Sequence, residues 1–231
     1  MNGKDIIAEG PQIGCNRAFA DNDRWMRDGN SWCEDRKTGG AYSRGLTQLS
    51  YHAPVVTAET RGDTAVVTCA VAVDGSRSAG WTHETVWTFR PDGTVKAANH
   101  AVPHGKMPEL PRLGLSWKLD GALENLAWYG RGPHENYIDR CSSAFVGRYA
   151  STVTDQYVSY VRPQENGAKG DVRWVAFTDE KGRGVRFACD RPLFFRALHF
   201  DWEDLEFARH HRHQTRIYNP PTPRREICLD L

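Results

Sequence analysis

Alternation of apolar and polar residues dominates the chain from Gln48 onward and predicts β-strands separated by short turns. Residues 65–73 (AVVTCAVAV) are small and β-branched. Residues 80–90 (GWTHETVWTFR) place Trp81, His83 and Trp87 on one face of a strand. We predict about ten strands in all, among them segments at 94–102, 114–118, 126–129, 172–178, 184–189 and 225–231.

Two of these strand pairs are separated by strong turn signals. Residues 91–93 (PDG) and 179–183 (DEKGR) combine residues that favour tight reversals, because Pro presets φ while Asp and Gly suit the turn itself. The chain is therefore expected to form β-hairpins at both places.

A single segment, residues 201–212 (DWEDLEFARHHR), has the pattern of a helix. Asp201 can cap its start, and acidic residues in the first turn and basic residues in the last complement the helix dipole. Because strands do not alternate with helices, the pattern disfavours a parallel α/β sheet and a (βα)8 barrel. The prediction is an all-β fold, a large antiparallel β-sandwich with one short helix.

The first 47 residues contrast with the rest. Residues 10–45 are rich in Asp, Asn, Arg and Gly and show neither strand nor helix periodicity. We expect residues 1–47 to form an irregular segment that crosses and packs on the sheets, held by Trp25 and Trp32. A length of 231 residues suits one all-β domain, so residues 1–231 are predicted to be a single domain.

Composition narrows the possible partners. A net charge of +1 excludes a strong field for nucleic acid or anionic membranes. The sequence contains no run of about eighteen apolar residues, and its first ten residues lack a secretory signal. We expect a soluble protein, cytoplasmic or periplasmic, without nucleic-acid or membrane partners. Six dispersed cysteines without a C-x-x-C pair are expected to be buried thiols.

The sequence RHHRH at 209–213 invites a metal-site interpretation. Its histidines diverge around a helix, and two arginines oppose cation binding. Charge complementarity at the helix C-terminus is the favoured reading. No cofactor or metal is expected in this domain.

Three segments, read in order, carry a family resemblance: NRAFADNDR at 16–24, GRGPHENYIDR at 130–140 and PQENG at 163–167. They resemble the "RAPTDND", "GxGPxENYxDR" and "PxENG" segments of the C-terminal, small-chain domain of glycoside hydrolase family 2 β-galactosidases, although Phe19 and Ala20 replace a Pro and a Thr of the first. The resemblance implies a galactose-mutarotase-like supersandwich. It also implies a parent enzyme that hydrolyses terminal β-D-galactosides.

The same resemblance places the catalytic carboxylates in a (βα)8 barrel that this sequence lacks. We therefore expect no catalytic residue here, and an inactive fragment that acts as scaffold and active-site wall. Expected partners are the barrel and other domains of the parent enzyme, with a homo-oligomer also open. Family members continue past the last strand into a loop whose tryptophan reaches the galactose site, so the chain is expected to be C-terminally truncated.

The segment 128–140 (WYGRGPHENYIDR) also allows an alternative function, a carbohydrate-binding module that grips galactose-type sugars on its concave face. Trp128 and Tyr129 supply aromatic rings for stacking, and neighbouring polar groups can hydrogen-bond to sugar hydroxyls. The candidate carbohydrate-binding residues are Trp128, Arg131, His134, Glu135, Asn136, Arg140, Glu165 and Asn166.

The competing interpretation of this segment is structural. Gly130, Gly132 and Pro133 would shape a bend that a Glu135–Arg140 ion pair anchors. Glu135 and Glu165 as a hydrolytic pair, and His134, His199 and Glu165 as the acid and base of an epimerase, are less favoured, since fold analogy does not confer function.

Overall fold

The computed structural model describes residues 5–20, 45–77, 79–108, 110–210 and 222–231. Within these ranges the chain forms twelve strands, one short 3-10 helix at Thr154–Gln156 and one α-helix. By their internal contacts the residues divide into two compact units, one comprising 1–22 and 114–231 and the other 23–113.

The first unit contains a seven-stranded antiparallel sheet. Its strands are β1 (Ile7–Gly14), β7 (Gly114–Leu119), β8 (Asn125–Gly132), β9 (Phe145–Thr152), β10 (Lys169–Thr178), β11 (Gly184–Leu198) and β12 (Ile227–Asp230). They lie in the order β1-β7-β12-β11-β10-β8-β9. The predicted hairpin at 179–183 joins β10 to β11, where the Asp179 side chain accepts hydrogen bonds from the Lys181 and Arg183 amides.

The second unit contains a five-stranded antiparallel sheet. Its strands are β2 (Leu49–Tyr51), β3 (Val55–Arg61), β4 (Thr64–Gly75), β5 (Gly80–Phe89) and β6 (Val95–His104). They follow the order β2-β4-β5-β6, and β3 also pairs with β4. The predicted turn at 91–93 joins β5 to β6, and Gly93 adopts a φ of 82°, a region that favours glycine.

The α-helix, α1, spans Trp202–His210, inside the predicted range of 201–212, whose last two residues lie outside the described part. Asp201 precedes it, and its carboxylate accepts a hydrogen bond from the Trp202 amide at 2.7 Å. The inward side chain of Leu205 packs with Leu198 and Phe200. The burial of Leu205 therefore holds the helix against the first unit.

The prediction of an all-β fold with antiparallel sheets and one short helix is confirmed. Each predicted strand from residue 65 onward is present, although the last is shorter than the predicted 225–231. The assignment of 1–47 to irregular structure is wrong at β1, whose pairing with β7 is interrupted by two register shifts that break its sequence pattern. Trp25 and Trp32 lie outside the described residues, and the single domain stays a prediction.

Strands β2, β3 and β9 also had no predicted range. All seven residues of β3 are exposed, and all residues of β2 and β9 are exposed or half-buried. A strand without a buried face lacks the apolar repeat that sequence reasoning detects.

Candidate functional site

Two glycines at the end of β8 allow neighbouring residues to pack closely against its backbone. A Cβ on Gly130 would lie 2.5 Å from Cγ2 and 2.8 Å from Cα of Val172. A Cβ on Gly132 would lie 2.9 Å from the Trp128 ring and 2.8 Å from the Tyr149 ring. Both positions therefore exclude a side chain, which explains the glycines of the GRG sequence.

Trp128 belongs to the core of the first unit. Its side chain is 1% exposed, and its ring centroid lies 5.3 Å from that of Tyr149 and 6.2 Å from that of Phe195. The indole N–H donates to the Arg131 carbonyl at 2.9 Å. This burial argues against the predicted stacking of Trp128 on a sugar, because its ring is covered by protein.

Arg131 holds the loop that leads into β9. Its Nε donates to Asp171 Oδ2 at 2.5 Å, and its Nη1 donates to the carbonyls of Cys141 and Ala144 at 3.2 and 2.9 Å. The hydrogen bond to Asp171 raises the pKa of Arg131, so the guanidinium stays charged. The side chain therefore fastens the loop to β10.

Glu135 joins the two sequence motifs at 130–140 and 163–167. Its side chain is 8% exposed and accepts hydrogen bonds from Arg140 Nη2 at 2.8 Å, from the Gly167 amide at 2.7 Å and from the Tyr160 hydroxyl. The ion pair expected between Glu135 and Arg140 is therefore present. Arg140 also lies over the Tyr137 ring, 4.7 Å from its centroid.

Arg140 and Tyr160 titrate as members of this network. Burial by itself lowers the pKa of Arg140, but the Tyr160 hydrogen bond and the Glu135 charge outweigh it and raise that pKa. Burial, followed by the hydrogen bond to Glu135, raises the pKa of Tyr160. Both groups therefore keep their protons near neutral pH.

Two asparagines use their side-chain amides to tie backbone segments together. Asn136 is fully buried, accepting from the Gly170 amide at 2.9 Å and donating to the His134 carbonyl at 3.2 Å. Asn166 accepts from the Val158 amide at 3.0 Å and donates to the Gln164 carbonyl at 2.8 Å. Amide side chains suit this role because each combines a donor and an acceptor.

Glu165 faces a fully buried arginine. Arg196 is 2% exposed and pairs with Asp230 at 2.7 Å, while its Nη1 lies 3.7 Å from Glu165 Oε2. Burial opposes the charge on Arg196, but Glu165 and Asp230 outweigh it and raise its pKa. The carboxylate of Glu165 therefore balances a buried cation.

Lys169 is a second buried cation, 2% exposed. Its Nζ donates to the Gly167 carbonyl at 3.0 Å and lies 5.4 Å from the Trp128 ring centroid. Burial lowers its pKa to about 8. Sequence reasoning missed Lys169 and Arg196, although a charge inside the apolar run FFRAL at 194–198 marked the latter.

Most of the predicted residues thus hold the backbone or neutralise a charge through their own contacts, and we call this set the polar corner: Arg131, His134, Glu135, Asn136, Arg140, Glu165 and Asn166. His134 lies at its exposed side, with Nε2 3.1 Å from Ser143 Oγ. His199, considered for an epimerase, bonds instead to Glu124 at 2.8 Å and to the Glu226 carbonyl at 3.1 Å. The side chains of the polar corner hydrogen-bond to backbone groups of neighbouring segments and neutralise the charges of nearby side chains.

Within the described ranges, no three His, Cys, Asp or Glu side chains cluster so as to hold a metal ion. The RHHRH segment at 209–213 falls outside them, apart from the backbone at the end of α1. No described helix is long and apolar enough to cross a membrane.

Comparison with known proteins agrees with the motifs. Residues 1–221 match the family described as "Beta galactosidase small chain". The chain is 34% identical over 206 residues to a β-galactosidase of Priestia megaterium and 29% identical over 216 residues to one of Streptococcus thermophilus, covering 89% and 90% of this chain. It spans only 19% of the length of each of these relatives. The chain therefore belongs to the β-galactosidase small-chain family.

Proposed function

We propose that this chain is the scaffold domain of a family 2 β-galactosidase that hydrolyses terminal β-D-galactosides. In this role it supports the catalytic barrel and forms one wall of the active-site mouth. The relatives it matches are named β-galactosidases and are about five times its length, which supports a parent enzyme with further domains. A galactose-mutarotase-like arrangement of its sheets is part of the same proposal.

One observation carries the scaffold role. The carboxylate of Glu135 is occupied by a guanidinium, a hydroxyl and a backbone amide, and that of Glu165 faces buried Arg196. A general acid needs a proton to give, and a nucleophile needs a lone pair aimed at the sugar. Carboxylates committed to structural hydrogen bonds and buried cations serve neither purpose.

A chromogenic β-galactoside assay tests this proposal. The full-length polypeptide is expected to turn over the substrate, whereas residues 1–231 alone are expected to be inactive. Glu135→Gln in the full-length enzyme should lower the unfolding temperature. It should leave kcat, measured below that temperature, nearly unchanged. Turnover by residues 1–231 that Glu135→Gln or Glu165→Gln abolishes would show that the chemistry resides in this chain.

One feature favours a carbohydrate-binding role as the second candidate. Tyr129 is 36% exposed, pairs with Trp174 on β10, and has the Arg173 guanidinium 5.5 Å from its ring centroid. Aromatic rings beside charged groups can bind sugars. Calorimetric titration of residues 1–231 with galactose and lactose separates the two functions. A pure scaffold gives no saturable heat, with or without a Tyr129→Ala change. A binding module gives saturable heat that Tyr129→Ala reduces.

A further inference from the structure

The sheet of the second unit has two chemically different faces. Side chains alternate along each strand, so the cross-strand pairs place Glu59, Glu84, Lys96 and His100 on one face. The opposite face over the same stretch carries no charged side chain among the described strand residues. We call it the apolar face and define it by Val56, Ala58, Val67, Trp87, Phe89 and Val95.

The apolar face is continuous across four strands. Ala58 pairs with Val67, and Val67 pairs with Trp87. Phe89 pairs with Val95 in the next row and stacks on Trp87, with 6.5 Å between the ring centroids. These contacts make one hydrophobic surface rather than scattered side chains.

Much of this surface is open in the chain by itself. Val56, Phe89 and Val95 are 56%, 42% and 49% exposed. In the row of Val56, Thr85 is 4% exposed, and farther along the same face Trp81 is 2% exposed. An antiparallel sheet whose side chains alternate so regularly normally buries its apolar face. A contiguous exposed apolar patch marks a place where another surface docks.

Size and charge decide what covers the patch. Four strands spaced about 4.8 Å apart and three rows about 6.8 Å apart give an area of about 400 Å². A stable complex of separate molecules buries about 800 Å² on each partner, so a second copy held by this face alone would dissociate. A segment of the same polypeptide has no such requirement, because covalent linkage supplies an effective concentration of about millimolar.

We propose that the apolar face is a docking surface for another region of the same full-length polypeptide, one that presents uncharged, apolar side chains. The curated relatives extend over about five times the length of this chain, which leaves ample polypeptide for the contact. Because the occupant must match an uncharged surface, a charge placed on the apolar face disrupts docking, while the same charge on the opposite face does not. This inference rests on the proposed function only in assuming a longer multidomain chain.

Two matched variants test it in the full-length polypeptide. Val95→Glu places a carboxylate on the apolar face, and Val55→Glu places one on the charged face, where Val55 is 69% exposed. We expect Val95→Glu to lower the first thermal transition by about 4 °C or more and Val55→Glu to change it by about 1 °C or less. In residues 1–231 alone, both changes should leave the transition within about 1 °C, because both side chains are exposed there.

Equal transitions for the two full-length variants would overturn the proposal. So would sedimentation of residues 1–231 as a dimer that Val95→Glu converts to monomer, since a second copy would then occupy the face. If Val95→Glu fails to fold, Val95→Ala replaces it and should give a smaller decrease in the full-length transition alone. If the full-length polypeptide has no β-galactosidase activity but still shows the Val95→Glu shift, the proposed function is rejected and the docking surface is supported.

Discussion

Removal of the Glu135 carboxylate is the sharpest test of the structural role of the polar corner. In a Glu135→Ala variant the Gly167 amide, the Arg140 guanidinium and the Tyr160 hydroxyl each lose an acceptor. A buried backbone amide without a partner costs about 1–3 kcal/mol. The bond to Arg140 adds less, about 0.5–1 kcal/mol, because that side chain is 51% exposed and water screens the pair.

The sum for Glu135→Ala is a loss of about 3 kcal/mol in the free energy of unfolding. For a domain of this size, that corresponds to a decrease in Tm of about 6–12 °C. The assay is thermal unfolding followed by circular dichroism, with Glu84→Ala on the exposed face of β5 as the matched control. A Tm for Glu135→Ala that equals the control would refute the reasoning, since the network would then contribute nothing to stability.

Three further predictions follow from the same unit. Gly132→Ala should destabilise the protein by about 1–3 kcal/mol in urea denaturation, because its Cβ meets the Trp128 ring, whereas Gly14→Ala, with open space around it, should have a much smaller effect. Burial lowers the pKa of Lys169 from 10.5 to about 8, so the unfolded chain binds more protons between these values and stability rises with pH there. Subtracting the stability profile of Lys169→Met from that of the wild type should isolate this rise, and a flat difference would contradict it. Arg196→Ala removes the cation that pairs with Glu165 and Asp230, so it should lower the free energy of unfolding by about 3–5 kcal/mol. The expected readout is less soluble folded protein at 37 °C than for the wild type.

Most strands that sequence reasoning found bury part of one face, whereas β6, whose residues are all exposed or half-buried, was found from the PDG turn that precedes it. In β5 the buried Trp81, His83 and Thr85 alternate with exposed Thr82 and Glu84, and this period of two is visible in the letters. The edge strand β9 has no such alternation and was missed. Periodicity reports burial, so a strand that lies mostly in solvent is found only where a turn signal marks it.

The candidate site divides in the same way. Local chemistry predicted the Glu135–Arg140 pair, because the two residues carry opposite charges only five positions apart in the sequence. The partners that arrive from distant sequence, such as Asp171 for Arg131 and Gly167 for Glu135, could not be read from spacing. Trp128 likewise looks in the sequence like an aromatic platform, and only its burial shows that it is core.

The sequence by itself therefore determined the fold class, the hairpins, the helix and the family, since each depends on local periodicity, turn chemistry or short motifs. Tertiary structure alone decided which polar groups are neutralised inside the first unit and which apolar side chains of the second unit stay exposed. The reason is physical: burial and hydrogen-bond partnership are set by residues far apart in the chain, and no local pattern encodes them. Arg196 shows the difference: the sequence shows a charge inside the apolar run FFRAL, and only the fold shows that Asp230 and Glu165 neutralise it as a buried cation.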